Sequence, residues 1–199
     1  MADLLRELQA QMSGKTIDKI ANQIGGNQQQ TSAAVSAALP MILQALSKNA
    51  TNEQGANSLF NAIAKDHDGS ALNNLTGLIN NFQSGPGAGI LRHVLGQKQN
   101  KAESIVSQTS GLNAQATNQL LQILAPIVMA QLGKQKQKGG LDVGGLANLL
   151  IQNTARQQKQ QPKAAGFLNQ FLDQDGDGNI QDDLTNMGVK ALSGFFRKK

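Results

Sequence analysis

The sequence predicts an all-α protein: a multihelical bundle of two pseudo-symmetric repeats, followed by a short C-terminal helical hairpin around an EF-hand-like loop. Three observations lead there. Apolar residues recur at helical spacing, as in "TIDKIANQI", where Ile17, Ile20, Ala21 and Ile24 form one stripe. No stretch alternates apolar and polar residues for long enough to suggest a strand. The first 150 residues also match themselves when displaced by 86 positions.

Without a gap, that displacement gives eleven identities between positions 4 and 48, among them Leu5/Leu91, Arg6/Arg92, Gly25/Gly111, Asn27/Asn113, Thr31/Thr117 and Pro40/Pro126. Further on, "SLFNAI" (58–63) meets "GLANLL" (145–150) after a slip of one residue. A period this long suggests a pseudo-symmetric bundle and argues against a short-repeat solenoid. The expected organisation is a first repeat over 1–85 and a second over 86–155. A Gln/Lys-rich linker comes next over 156–165, then the hairpin over 166–199, with composition changing abruptly near Gln161.

Within each repeat the elements derive from local chemistry. Gly25 and Gly26 stop the first clear helical stripe, as glycine does after a last turn. "QQQTSAAVSAALPMILQAL" then restarts a helix, and Pro40 inside it predicts a kink, or a break with Pro40 opening the next segment. No charged residue occurs over 20–47 or over 104–133. Solvated helices carry charge, so these segments are expected to mate with each other in one bundle or with a second chain.

Composition limits the function classes. Cysteine is absent, which excludes disulfides and thiolate metal sites. The start, "MADLLRELQA", does not resemble a signal peptide. The longest strongly apolar run, "ILAPIVMA", is far short of the roughly 20 residues that span a membrane. A cytoplasmic protein with no membrane span is the expectation. The net charge of +5 is concentrated in residues 134–165, where six Lys/Arg face one Asp, and this segment is read as a flexible, solvated linker. Asn and Gln number 44, but with neither Tyr nor Trp the amides read as helix-surface residues and not as a prion-like tract.

The segments "IGGNQQQTSAAVSAALPMILQAL", "KDHDGSALNNLTGLIN", "GAGILRHVLG" and "DQDGDGNIQDDL", in that order, resemble the YidB-like family of bacterial proteins with a domain of unknown function. The resemblance spans essentially the whole chain. It implies a multihelical fold with two structural repeats, and no activity to carry over.

Two motifs carry potential chemistry. In "DQDGDGNIQDDL" (173–184), Asp173, Asp175 and Asp177 occupy the first three ligand positions of an EF-hand loop, and Gly178 stands where the chain must turn. Asn179 would offer its backbone carbonyl and Gln181 could reach the ion through water. The closing glutamate is replaced by Leu184, so a shortened loop would close on Asp182 or Asp183. Five clustered carboxylates repel without a cation, and the expected ion is calcium, bound weakly. The alternative is a set of Asx-turns with Asp182 and Asp183 at a helix N-terminus. Four of the six phenylalanines, Phe167, Phe171, Phe195 and Phe196, flank the loop and suggest that a metal would staple a small hairpin.

The second motif unites "KDHDGSAL" and "GAGILRHVLG": Asp66, His67, Asp68 and His93 are metal-capable and include both histidines. They read either as a metal or small-ligand site or as a helix stop at Gly69, with Asp68 or Ser70 capping the next helix. "GPGAG" (85–89) lacks the Gly-Lys-Ser/Thr ending of a P-loop.

The function these features favour is a non-enzymatic helical interaction or assembly scaffold with a structural calcium site, partnered by itself or by another protein. An enzyme or ligand-binding protein using His67 and His93 is the rival, disfavoured because no nucleophile–base pair can be assembled from the sequence. A helix-turn-helix reading rests on "TIDKIANQIGGNQQQTSAAVSAAL". Its second helix carries no cation to meet phosphates or guanine edges, which disfavours nucleic acid.

Overall fold

The computed structural model describes residues 3–12 and 14–160, with side chains through Gln157. Among them are nine α-helices: α1 (Leu4–Gln11), α2 (Lys15–Ile24), α3 (Gln28–Asn49), α4 (Glu53–Asp66), α5 (Leu75–Asn80), α6 (Gly87–Leu95), α7 (Gln99–Ser110), α8 (Ala114–Gly139) and α9 (Val143–Gln160). Short 3-10 turns join α4 to α5, α5 to α6 and α6 to α7. No strand occurs among the described residues. The protein is all-α.

α3 and α8 form the centre. Every residue over 37–47 and over 123–133 is buried, so these stretches are enclosed on all sides by the rest of the bundle. This is what the two uncharged runs demand: a helix with no wet face has no use for charge. One continuous apolar cluster, from Leu4 to Leu150, joins all the long helices. The predicted stripe of Ile17, Ile20, Ala21 and Ile24 faces it.

Local signals set the helix ends. Asn27 accepts from the Gln30 amide at 2.8 Å while the Gln30 side chain returns to the Asn27 amide, a reciprocal cap that opens α3. Asn113 opens α8 by accepting from the Ala116 amide at 2.8 Å. Gly25 and Gly111 close α2 and α7 with φ of 71° and 73°, in the left-handed region that suits glycine. Helices α1 to α4 and α6 to α9 thus run in the same order, with α5 and its flanking turns between the two series.

Of the kink or break expected at Pro40 the break does not occur, and the expected linker over 134–138 is corrected. α3 passes through Pro40 and α8 through Pro126 without a break. Proline removes one helical donor, orphaning the carbonyls of Ser36 and Gln122, but burial of the surrounding apolar residues outweighs that loss. Ser36 is exposed, so water can meet its carbonyl. The basic run at 134–138, expected to belong to a flexible linker, is the last part of α8, and α9 continues through 156–160. Lys and Gln are good helix formers, and cations suit a helix C-terminus.

No helix among the described residues is long and apolar enough to cross a membrane. The predicted hairpin over 166–199 lies outside the described residues.

Candidate functional site

α8 holds the corner after α4 at very close range. A Cβ built on Gly133 would stand 2.8 Å from the carbonyl carbon of His67 and 2.9 Å from that of Asp68, and closer still to the His67 carbonyl oxygen. Only glycine at 133 lets the two backbones meet this way. His67 is the C-cap of α4, its amide donating to the Ile63 carbonyl at 3.3 Å. Asp68 then accepts from the Ser70 amide at 2.9 Å, and Gly69 is the N-cap of the following 3-10 turn.

Across from this corner stands α6. Its first turn rests on α8, where a Cβ on Gly87 would overlap the Gln122 carbonyl, the one that Pro126 leaves without its helical donor. Its last turn is tied to α3 through Asn49, whose Nδ2 donates to the carbonyls of His93 at 3.3 Å and Val94 at 3.1 Å.

Between α4 and α6 these anchors leave a groove of about 770 Å³. Leu46, Leu59, Val94 and Met129 form its buried floor, with Ala62 and Ile90 half-buried on its walls. Ser58, Asp66 and His93 stand exposed at its rim, and His67 is half-buried. The size is typical of sites that enclose a drug-sized ligand. Asp66 is the sole acidic residue of the lining, which contains no Lys or Arg.

The electrostatics separate the two histidines. Burial pushes the His67 imidazole below its ordinary value of 6.5, against the opposing pull of the Asp66 carboxylate. His93 contacts the Gly89 carbonyl through Nδ1 at 2.9 Å. A carbonyl can only accept, so Nδ1 carries the proton and Nε2 of the neutral ring is an acceptor.

The structure therefore brings together Asp66, His67 and His93, and it does not add Asp68. That carboxyl is fully exposed, lies outside the groove lining and is held below its usual range by hydrogen bonds from Ser70. No group of three or more His, Cys, Asp or Glu residues among those described is placed to hold a metal ion. Of the four residues expected to form either a metal or small-ligand site or a helix stop, Asp66, His67 and His93 edge an apolar groove, and Asp68 accepts from the Ser70 amide outside it. The calcium-loop residues Asp173, Asp175, Asp177, Asn179, Asp182 and Asp183 lie outside the described residues.

Sequence reasoning misses the apolar body of this site. The helical spacing of Leu59 and Ala62 is readable, but which helix faces them is not. Asn52, the N-cap of α4 that accepts from the Gly55 amide at 2.7 Å, is readable as a cap and not as groove lining.

Comparison with known families gives one match: residues 6–135 fit the family described as bacterial protein of unknown function (DUF937). The chain belongs to this family. It is the YidB-like family that the sequence motifs resemble. Every groove-lining residue, from Leu46 to Met129, falls inside the matched span, whereas the aspartate loop falls outside it. No curated protein and no solved structure matches the chain.

Proposed function

We propose that this DUF937 protein is a non-enzymatic helical binding and assembly module, and that the groove between α4 and α6 is its interaction surface. One observation carries the reading: a 770 Å³ recess floored by Leu46, Leu59, Val94 and Met129 opens to solvent between two firmly anchored helices. Apolar surface left open in this way is the ordinary signature of a binding site. The nearby polar groups support binding over catalysis. Asn49 and Asn52 are engaged in tying and capping helices, and His93 Nδ1 is engaged with the Gly89 carbonyl. We read the two helix series as copies of one unit, and a cytoplasmic location belongs to the same proposal.

Titration of apolar fragments into the full chain, followed by methyl NMR, tests the groove. Shifts should cluster on Leu59, Ile90, Val94 and Met129 and disappear in Ile90→Asp. Fragments that bind nowhere, in the full chain and in a chain with Phe195→Ala and Phe196→Ala alike, or that bind elsewhere with equal affinity, would overturn the reading. A small-ligand or catalytic site using His67 and His93 is the second reading, favoured by their sharing one groove and by the lowered pKa of His67. It requires binding that fails in His67→Gln or His93→Gln.

The helix-turn-helix reading gains little support. The exposed residues in the first turns of α3 are Gln28, Gln29, Ser32 and Ser36, none of them cationic, and the rest of α3 is enclosed. We retain structural calcium as a proposal for the loop of Asp173, Asp175, Asp177, Asn179, Asp182 and Asp183. Calorimetric titration of calcium into chelator-treated chain should show one site that is absent in Asp175→Ala. No heat up to millimolar calcium would leave an acidic turn.

A further inference from the structure

The two series of helices treat the same place differently. Under the 86-residue displacement Leu4 corresponds to Ile90, Glu7 to His93 and Asn49 to Gln135; with the one-residue slip, Asp66 corresponds to Asn153. Where α1 meets α8 and α9, the Leu4 amide and the Glu7 carboxylate are both paired. The Leu4 amide donates to Asn153 Oδ1 at 2.8 Å, and the Glu7 carboxylate accepts from the side-chain amides of Gln131 and Gln135.

At the groove the pairing is not repeated. α6 begins with an added turn, so the Ile90 amide donates to the Pro86 carbonyl at 2.9 Å. The Asp66 carboxylate and, in the neutral ring, His93 Nε2 are then acceptors at the edge of an apolar recess with no Lys or Arg in its lining. The chemistry that complements it is an apolar body joined to cationic donors.

The chain itself carries such a segment. Of six phenylalanines, only Phe60 and Phe82 fall among the described residues. Phe195 and Phe196 are adjacent and are followed directly by Arg197, Lys198 and Lys199. We propose that the groove is filled by residues 195–199 of the same chain, with the two phenylalanines on its floor and the cations toward Asp66. The proposal rests on reading the groove as a binding surface.

Reach and size both allow it. An extended chain covers up to roughly 3.3 Å per residue, so the span from 160 to 195 reaches about 115 Å. A folded body of this length has a radius of gyration of about 15 Å and measures about 40 Å across. A tethered segment also acts at about millimolar effective concentration, so modest intrinsic affinity suffices. Since Asp66 is exposed, its attraction orients the segment, and burial of the rings supplies the affinity.

Two measurements on the full chain test this. With benzoylphenylalanine in place of Phe196, irradiation should give adducts on peptides of α4 or α6 in a species that remains monomeric, and Ile90→Asp should abolish them. Adducts elsewhere, none at all, or adducts between chains would overturn the proposal. Cysteine is absent from the chain, so Ala62→Cys gives a unique reporter in the groove. Its alkylation by a neutral maleimide should accelerate several-fold when Phe195→Ala and Phe196→Ala are added, and an unchanged rate would refute occupancy. Apolar fragments should also bind the double-alanine chain more tightly. If cross-linking fails while fragments still bind the groove, only the occupant is wrong; if the double-alanine chain binds none, the groove reading fails as well.

Discussion

Replacing Gly133 by alanine tests the geometry that builds the groove. The added methyl would lie 2.8 and 2.9 Å from the carbonyl carbons of His67 and Asp68, where carbon atoms normally stay about 3.5–4.0 Å apart. Inserting carbon into a filled site costs about 1–3 kcal/mol when side chains can yield. Here backbone atoms obstruct it, so the upper end of that range applies. Alanine returns about 1 kcal/mol through helix propensity. The balance is a loss of about 2 kcal/mol, equivalent to a fall in Tm of roughly 4–8 °C for a chain of this size.

Gly89→Ala is the matched control. No atom lies within 4 Å of its Cβ position, which is helical and on the groove lining. The same substitution there should stabilise by about 0.5–1 kcal/mol. Urea denaturation followed by far-UV circular dichroism reads both, since the chain has neither Trp nor Tyr to report by fluorescence. Wild-type stability in Gly133→Ala, with unmoved His67 resonances, would refute the close passage of α8 against the α4 corner.

The same contacts support further expectations. Asn153→Ala removes the acceptor for the buried Leu4 amide and should cost about 1–2 kcal/mol in urea denaturation. Glu7→Ala leaves two glutamine amides short of an acceptor and should cost about 1–3 kcal/mol, whereas Glu7→Gln keeps an acceptor oxygen and should cost less. The folded pKa of His67 lies below its unfolded value of 6.5, so the unfolded chain binds more protons as the medium acidifies. His67 thus contributes no pH dependence well above 6.5 and progressive destabilisation below it; urea midpoints across pH should show less of this slope in His67→Gln.

Much of the fold is legible in the sequence because its signals are local. Glycine after the stripe of Ile17 to Ile24 predicts the end of α2, and the charge-free runs mark the two helices whose middle stretches are buried on every side. The features that escape such reading depend on tertiary surroundings. Pro40 and Pro126 should break isolated helices, yet each sits inside one because apolar neighbours on every side are worth more than one hydrogen bond. The Lys/Gln run looks like linker by composition and is helix, since those residues have high helix propensity. The pairing of His67 with His93 is readable only as a suspicion about residue types. Their shared groove is set by glycines 87 and 133, and no local pattern around either histidine encodes that.

Those two glycines suggest why the groove forms where it does. Pro126 orphans the Gln122 carbonyl on α8, and α6 lays its added first turn against it at Gly87. Gly133 fixes the end of α4 on α8 about three helical turns further along. α8 therefore holds both walls at separate points of one rigid helix, and the gap between them is spanned by nothing stiffer than Asn49 and the side chains of the floor. α1, which starts at Leu4, has no such turn before it, and its first amide goes directly to Asn153 of α9. The groove is thus a consequence of where two helices dock on a third. Widening or closing it by substitution at residues 87 or 133 should change ligand access without touching any residue of the floor.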